Sequence, residues 1–258
     1  MGFAMNMKDN LARLQDFYLL SLKAPLGLFR RPFYGREIVE QMDYMGPGSL
    51  FIVLLVSLFI GMALSLQISA ELAAMGLKMY TGKIVGMAIV REIGPVSVAL
   101  VFAGRAGSGM ASELGSMVLG HQVDILRVHG VNPVKKLVTP RVTAAVLMLP
   151  VLTVIGDGVS LLGGYYISVF ASHQSGPFYW SQIRDVMSFK NLFSGLSKPF
   201  IFGYIIACVS CYTGLSARGG ARGLRRSTTT AVVVSMILVI ITDFLLTRVL
   251  MYVLGMRI

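Results

Sequence analysis

Apolar residues in this chain are concentrated in five long blocks, and charged and small residues fill the segments between them. The first block, residues 49–68, carries no charge and is long enough to cross a hydrocarbon core of about 30 Å as a helix. Blocks of this kind predict helices that span a membrane. The predicted spans are residues 49–68, 84–104, 142–170, 199–215 and 228–254.

The segment before the first block has an amphipathic pattern instead. Helical intervals separate five of its apolar residues, which are Leu11, Leu14, Phe17, Tyr18 and Leu22. Charged residues occupy the other faces, so the pattern predicts a helix that lies on the membrane surface. Residues 37–45 are expected to form a second short helix that leads into the first span.

Composition agrees with a membrane protein. Hydrophobic residues make up 55% of the chain and charged residues only 14%, with a mean hydropathy of +0.73. A soluble domain would carry about a quarter charged residues. No repeat or long linker divides the sequence, so residues 1–258 are predicted to form one domain, with interfacial helices in 1–45 and a transmembrane region in 49–258. The predicted fold class is an all-α integral membrane protein with an N-terminal interfacial helix and about five transmembrane helices.

The net charge of +11 comes from basic residues in the connectors between blocks. The connector 215–230 carries four arginines and no acid, and the connector 105–141 is also basic. Lys and Arg in short loops mark the cytoplasmic side. Both connectors are therefore expected in the cytoplasm together with the N-terminus, and the C-terminus outside. Because this explains the charge, the sequence gives no reason to expect a nucleic-acid partner.

The second block contains an unusual polar step. Arg91 and Glu92 interrupt it, and Gly94 and Pro95 follow. If these charges lie inside the membrane they are costly and indicate a functional pathway, whereas at the interface they would be hydrated. Either position predicts a broken or incomplete span, and broken spans tend to line sites.

Two further acids stand alone in apolar blocks. Asp157 lies between two glycines, which suggests a kink or a packing contact, and Asp243 lies close enough to Arg248 for a local ion pair. A proton relay through Asp157 or Asp243 is the functional alternative, although relays usually need several such groups.

The connector after the second block is patterned like a helix. Leu114, Met117 and Val118 recur at roughly helical spacing beside Glu113. Such a helix could lie on the membrane or dock into a groove of a soluble partner, and the pattern leaves both possibilities open. The sequence shows no phosphate-binding loop, so a partner would have to hydrolyse any ATP that is used. No catalytic residue, metal ligand or cofactor is predicted.

Several co-linear motifs carry a resemblance to a known family. They are REIGP at 91–95, AGRAGS at 103–108, ASELG at 111–115, QVD at 122–124, VNP at 131–133 and PR at 140–141. With this spacing the chain resembles the MlaE/YrbE family of ABC-transporter permeases, and weaker similarity extends over most of its length.

The resemblance implies a permease of the bacterial inner membrane that moves phospholipids or related lipids, a process linked to outer membrane lipid asymmetry. Its implied partners are a second copy of itself, a cytoplasmic ABC ATPase dimer and a periplasmic MCE-domain protein. Residues 111–120 would be the coupling helix, and its contacts with the ATPase are expected from Glu113, Leu114 and Met117. The lipid cavity is expected at Leu64, Gln67, Ile68, Arg91, Glu92, Ile93 and Arg226.

Two functions of other classes stay open beside this one. The first is a secondary transporter driven by protons that pass through Asp157 or Asp243. The second is a membrane scaffold that recruits a soluble protein through the same connector and carries no cargo. Neither requires an ATPase partner.

Overall fold

The structure, a computed structural model, describes residues 15–27 and 34–255. In these ranges the chain is helical and contains no β-strand. Five helical stretches are long and apolar enough to cross a membrane, and they are numbered here as the first to fifth spans. The spans are Gly35–Ala74, Lys78–Leu119, Val134–Phe170, Phe189–Leu215 and Gly220–Val253. The predicted fold class, all-α with five spans, is confirmed.

The helices are numbered in chain order. They are α1 (15–26), α2 (Gly35–Ala74), α3 (Thr81–Ala88), α4 (Gly94–Phe102), α5 (Ser108–Leu119), α6 (Gln122–Val128), α7 (Thr139–Phe170), α8 (Gly176–Val186), α9 (Phe189–Leu215) and α10 (Gly220–Val253). Turns of π-helix at Ile89–Ile93, Ala103–Gly107 and Val134–Val138 join some of them.

All five spans begin earlier than the apolar blocks indicate, and the first and fourth differ most. Helix α2 runs for 40 residues through Pro47, so the predicted separate helix at 37–45 is instead its beginning. At 1.5 Å per residue this helix is about 60 Å long and extends beyond the hydrocarbon core. Helix α9 begins at Phe189 rather than at residue 199. Hydropathy alone misses such extensions because polar residues are tolerated in helix ends outside the hydrocarbon.

The prediction of a broken second span was wrong. Residues 78–119 form a continuous helical path in which the turns at Ile89–Ile93 and Ala103–Gly107 are π-helical. The N–H of Gly94 bonds to the carbonyl of Ile89, so the backbone stays paired where a break was expected. Pro95, which has no backbone N–H to donate, follows just after this π-turn in the continuous helical path. Such π-turns are frequent at functional sites.

The connector after the second span is also more helical than predicted. Helix α5 is the last part of the second span and not a separate helix. It ends at Leu119, and His121 then takes a left-handed conformation with φ of 57° that turns the chain into α6. The expected helix at 111–120 therefore exists, but it is joined rigidly to the membrane helix before it.

The residues divide into two compact units. The first unit comprises Met1–Met45, Ala103–Val146 and Gly203–Leu238, and the second comprises Gly46–Phe102, Leu147–Phe202 and Val239–Ile258. Each unit takes one stretch from every span, so both depend on packing between segments that are far apart in sequence.

In the first unit, α1 packs against two later spans. Phe17 makes an edge-on ring contact with Tyr212 at 5.5 Å between centroids. The Thr139 hydroxyl donates to the carbonyl of Ala24 at 2.9 Å. Tyr18 and Leu22 remain exposed, as expected of a helix whose outer apolar face meets lipid. Leu11 and Leu14 of the predicted stripe lie outside the described residues.

In the second unit, small residues let the first and third spans approach closely. Ser65 donates to the carbonyl of Gly164 at 2.9 Å, and Ser160 donates to the carbonyl of Ser57 at 2.8 Å. A Cβ added to Gly61 would lie 1.9 Å from the carbonyl oxygen of Ser160. Small residues with interhelical hydrogen bonds are the usual means of association in lipid, where no hydrophobic effect drives helices together.

Candidate functional site

A charged network lies within the membrane-spanning part of the second unit, with Lys198 at its centre. The ammonium Nζ lies 2.5 Å from Oε2 of Glu92 and 2.9 Å from Oδ1 of Asp243. It also donates to the hydroxyl of Thr247 at 2.7 Å and to the carbonyl of Arg91 at 3.0 Å. The second, fourth and fifth spans are thus joined through one cation.

The network is unevenly exposed. The side chain of Lys198 is fully buried, whereas 38% of the Glu92 side chain and 19% of the Asp243 side chain are accessible. The hydroxyl of Thr247 also donates a hydrogen bond to Oε2 of Glu92 at 3.1 Å. A buried ammonium needs such partners, because an isolated charge in hydrocarbon costs several kcal/mol. Glu92 therefore has the most accessible side chain of these three charged residues.

Two sequence predictions about these charges were wrong or incomplete. Asp243 pairs with Lys198 and not with Arg248 as predicted. Lys198 lies just outside the predicted fourth span, residues 199–215, whereas the observed helix begins at Phe189. The missed signal is a lysine directly before Pro199 within the helix that begins at Phe189.

Arg91 points to a different partner from Glu92. Its Nε donates to Oδ1 of Asn191 at 2.9 Å, and Asn191 is buried near the start of α9. The adjacent Glu92 and Ile93 are half-buried in the same π-turn. The wider turn therefore directs two neighbouring charges to two different partners on the fourth span.

Asp157 is a further acid within a span, and its carboxylate packs against Gly94. A Cβ on Gly94 would lie 1.7 Å from Oδ1 of Asp157, so only glycine fits at position 94. Helix α7 continues without interruption past Asp157. Among the described residues, Oδ1 of Asp157 has no hydrogen-bond partner. A proton relay through Asp157 would need further acids in contact with it. In the part of the chain that the structure describes, no such contact is present.

The remaining predicted cavity residues fall into three settings. Leu64 and Ile68 pack against a buried apolar cluster that includes Val85 and Tyr179. Gln67 is exposed on the first span. Arg226 is exposed near the start of α10 and belongs to the first compact unit. Leu64, Ile68, Arg91, Glu92 and Ile93 are thus members of one compact unit.

The predicted coupling-helix residues differ sharply in exposure. Leu114 is fully buried within the chain, so the expectation that it contacts a partner was wrong. The side chain of Leu114 faces inward, toward Gly214 of α9. Gly214 lies so close to α5 that an added Cβ would be 3.0 Å from the Cβ of Leu114. Glu113 is half-exposed and Met117 is partly exposed. Met117 lines a shallow apolar surface groove together with Ile125 and Leu126 of α6.

Five helices long and apolar enough to cross a membrane define a multi-pass integral membrane protein. Comparison with known proteins gives its family. The family described as "Permease MlaE" matches residues 38–249. The chain belongs to the MlaE permease family and is a membrane permease subunit.

Individual relatives agree with this assignment. A "Probable ABC transporter permease protein" of Rickettsia typhi is 35% identical over 234 residues, which cover 91% of this chain and 90% of the relative. A protein of the same description from Synechocystis is also 35% identical, over 91% of this chain and 89% of its own length. The "Protein TRIGALACTOSYLDIACYLGLYCEROL 1, chloroplastic" of Arabidopsis thaliana is 36% identical over 86% of this chain and 63% of its own length.

Proposed function

We propose that this permease moves phospholipids or related lipids between the bacterial inner membrane and a periplasmic MCE-domain carrier, driven by ATP hydrolysis in a partner subunit. The observation that carries the proposal is the family match over residues 38–249. The cargo class rests on the Arabidopsis relative, whose name contains that of a glycolipid, trigalactosyldiacylglycerol. A glycolipid and a phospholipid share the two acyl chains that a largely apolar path would accommodate.

The proposed ATPase contact is the exposed part of α5 and α6. Relatives described as ABC transporter permeases support an ATPase partner, because such systems hydrolyse ATP in a separate subunit. Met117 and the groove it shares with Ile125 and Leu126 offer an apolar surface for a soluble partner. We assign this surface to the cytoplasmic side, with the N-terminus, and the C-terminus to the periplasm.

A second copy of the chain is the proposed partner within the membrane. The first and fifth spans bury only 28% and 17% of their most apolar stretches inside the chain, whereas the other three bury 44–56%. Lipid or a second copy must cover the rest. A homodimer that meets through these spans would surround a central lipid path with Leu64, Gln67 and Ile68 of the first span.

Glu92 and Arg91 are proposed to meet the polar headgroup. Arg91 is held in place by Asn191 and Glu92 by Lys198, so both charges are positioned before a ligand arrives. A guanidinium binds phosphate oxygens, and the accessible carboxylate of Glu92 suits an ammonium headgroup. Arg226, exposed on α10 and in the other compact unit, is proposed separately as a residue that contacts phosphate.

The test is ATP-dependent transfer of phospholipid between vesicles by the complex purified from native membranes. Wild type should transfer lipid with ATP and not with a non-hydrolysable analogue. Arg91→Ala should reduce transfer by about tenfold, since a charge-assisted hydrogen bond contributes about 1.5–3 kcal/mol. The exposed Arg248→Ala is the matched control. Unchanged transfer in both Arg91→Ala and Arg226→Ala would refute the headgroup contacts, and ATP-independent transfer would refute the ATPase-driven mechanism.

A further inference from the structure

Helix α5 is fastened to the third span by a partly buried ion pair. The Nη2 of Arg141 lies 2.8 Å from Oε2 of Glu113, and its Nη1 donates to the carbonyl of Leu137 at 2.7 Å. Only 6% of the Arg141 side chain is accessible, whereas 49% of the Glu113 side chain is. Arg141 lies in the first turn of α7, so the pair connects the end of one span to the beginning of the next.

Close backbone contacts fix the same helix to two other spans. A Cβ on Gly214 of α9 would lie 2.8 Å from the carbonyl oxygen of Ala111. A Cβ on Gly115 would lie 2.5 Å from a methyl carbon of Leu224 in α10. These contacts depend only on how the helix surfaces fit together, because glycine has no side chain that could form an ion pair or a hydrogen bond. The bond between Glu113 and Arg141 is the charged, directional link among them.

Stability does not account for this pair. Replacing a buried ion pair by apolar residues of similar size is often neutral or stabilising, because the charges lose hydration. The pair is also incompletely bonded, since Nε of Arg141 is buried and has no hydrogen-bond partner among the described residues. A costly, directional contact between two helices is better suited to fixing their relative position than to holding the fold together.

We propose that Arg141 is a positioning residue that transmits the movement of α5 to the third span through Glu113. The main role of Glu113 is then inside this chain, and the exposed groove around Met117 receives the partner. An ion pair at 2.8 Å carries a displacement of α5 directly to the first turn of α7. The inference rests on the proposed function, because it takes an ATPase as the source of that movement.

The experiment compares three forms of the complex purified from native membranes. They are wild type, the double variant Glu113→Gln/Arg141→Met, and the control Arg36→Met/Glu40→Gln, which removes an exposed ion pair of 2.9 Å on α2. The measurement is hydrogen exchange of backbone amides in 108–119 and in 139–146, a part of α7 that does not line the groove around Met117, with and without a non-hydrolysable ATP analogue. Retention of the ATPase and lipid transfer are recorded in parallel.

In wild type and control, nucleotide should change exchange in both segments. In the double variant the ATPase should stay bound and residues 108–119 should still respond, but 139–146 should not, and transfer should fall by about tenfold. The single variant Arg141→Lys keeps a cation beside Glu113, so it should retain most of the wild-type response.

Three results would overturn the proposal. One is a response of 139–146 in the double variant equal to that of wild type. Another is loss of the ATPase from Glu113→Gln alone, which would make Glu113 a direct contact. The third is misfolding of the double variant that Arg141→Lys does not share, which would make the pair structural. If nucleotide responses follow the prediction but wild type transfers no lipid, the proposed cargo fails and the inference stands.

Discussion

Lys198→Met is expected to reduce the amount of folded protein severely and to abolish transport. The substitution leaves Glu92 and Asp243, which lie 2.5 and 2.9 Å from the ammonium, without their shared cation. Breaking a buried ion pair by removing one partner costs about 3–5 kcal/mol. That is a large part of the total stability of about 5–15 kcal/mol of a typical domain. Thermal unfolding in detergent, followed by size-exclusion chromatography, measures the effect.

Lys190→Met is the matched control, because Lys190 lies on the same helix but is exposed and donates only to the carbonyl of Leu254. Its stability should stay within about 0.5 kcal/mol of wild type. Asp243→Asn should be intermediate, since it leaves the pair between Lys198 and Glu92 intact. Equal stability of Lys198→Met and Lys190→Met would show that the network does not hold the three spans together.

Gly61→Ala is expected to destabilise the protein through a single methyl group. The added carbon would lie 1.9 Å from the carbonyl oxygen of Ser160, which is backbone and cannot rotate away. The first and third spans must move apart, and the hydrogen bond from Ser160 to Ser57 is strained or lost. Overpacking of this kind costs about 1–3 kcal/mol. A midpoint lower by about 2–10 °C should follow in thermal unfolding.

We expect the opposite result from Gly158→Ala on the third span. No atom lies within 4 Å of the position that its Cβ would occupy. Alanine is favoured over glycine in a helix by about 1 kcal/mol, so this variant should be as stable as wild type or more stable. If both glycine variants shift the midpoint equally, close approach of the spans is not what position 61 requires.

The sequence predicts the membrane fold well because hydropathy and length determine which helices enter lipid. Each of the five blocks overlaps one of the five spans, and the amphipathic segment overlaps α1. What the sequence could not predict are the positions where helices continue beyond the apolar blocks. The start of α9 at Phe189 is the clearest case, because it brings Lys198 into the membrane.

The site was predicted in part for a related reason. Arg91 and Glu92 stand out because charges in an apolar block are rare, but their partners Asn191 and Lys198 are about 100 residues away in sequence. Asp243 was identified with the wrong partner, since Arg248 is near in sequence and Lys198 is near in space. Leu114 illustrates the same limit, because helical spacing identifies an apolar face without showing whether the chain itself covers it.

The measurement that tests the central claim most directly is purification of the protein from its native membrane in mild detergent, followed by mass spectrometry of bound proteins and lipids. The account predicts an ABC ATPase, an MCE-domain protein and phospholipid in one complex, with two copies of this chain. Recovery of the intact chain without an ATPase, from preparations in which Glu113 and Met117 are unaltered, would contradict it. That result would favour the scaffold or the proton-coupled transporter.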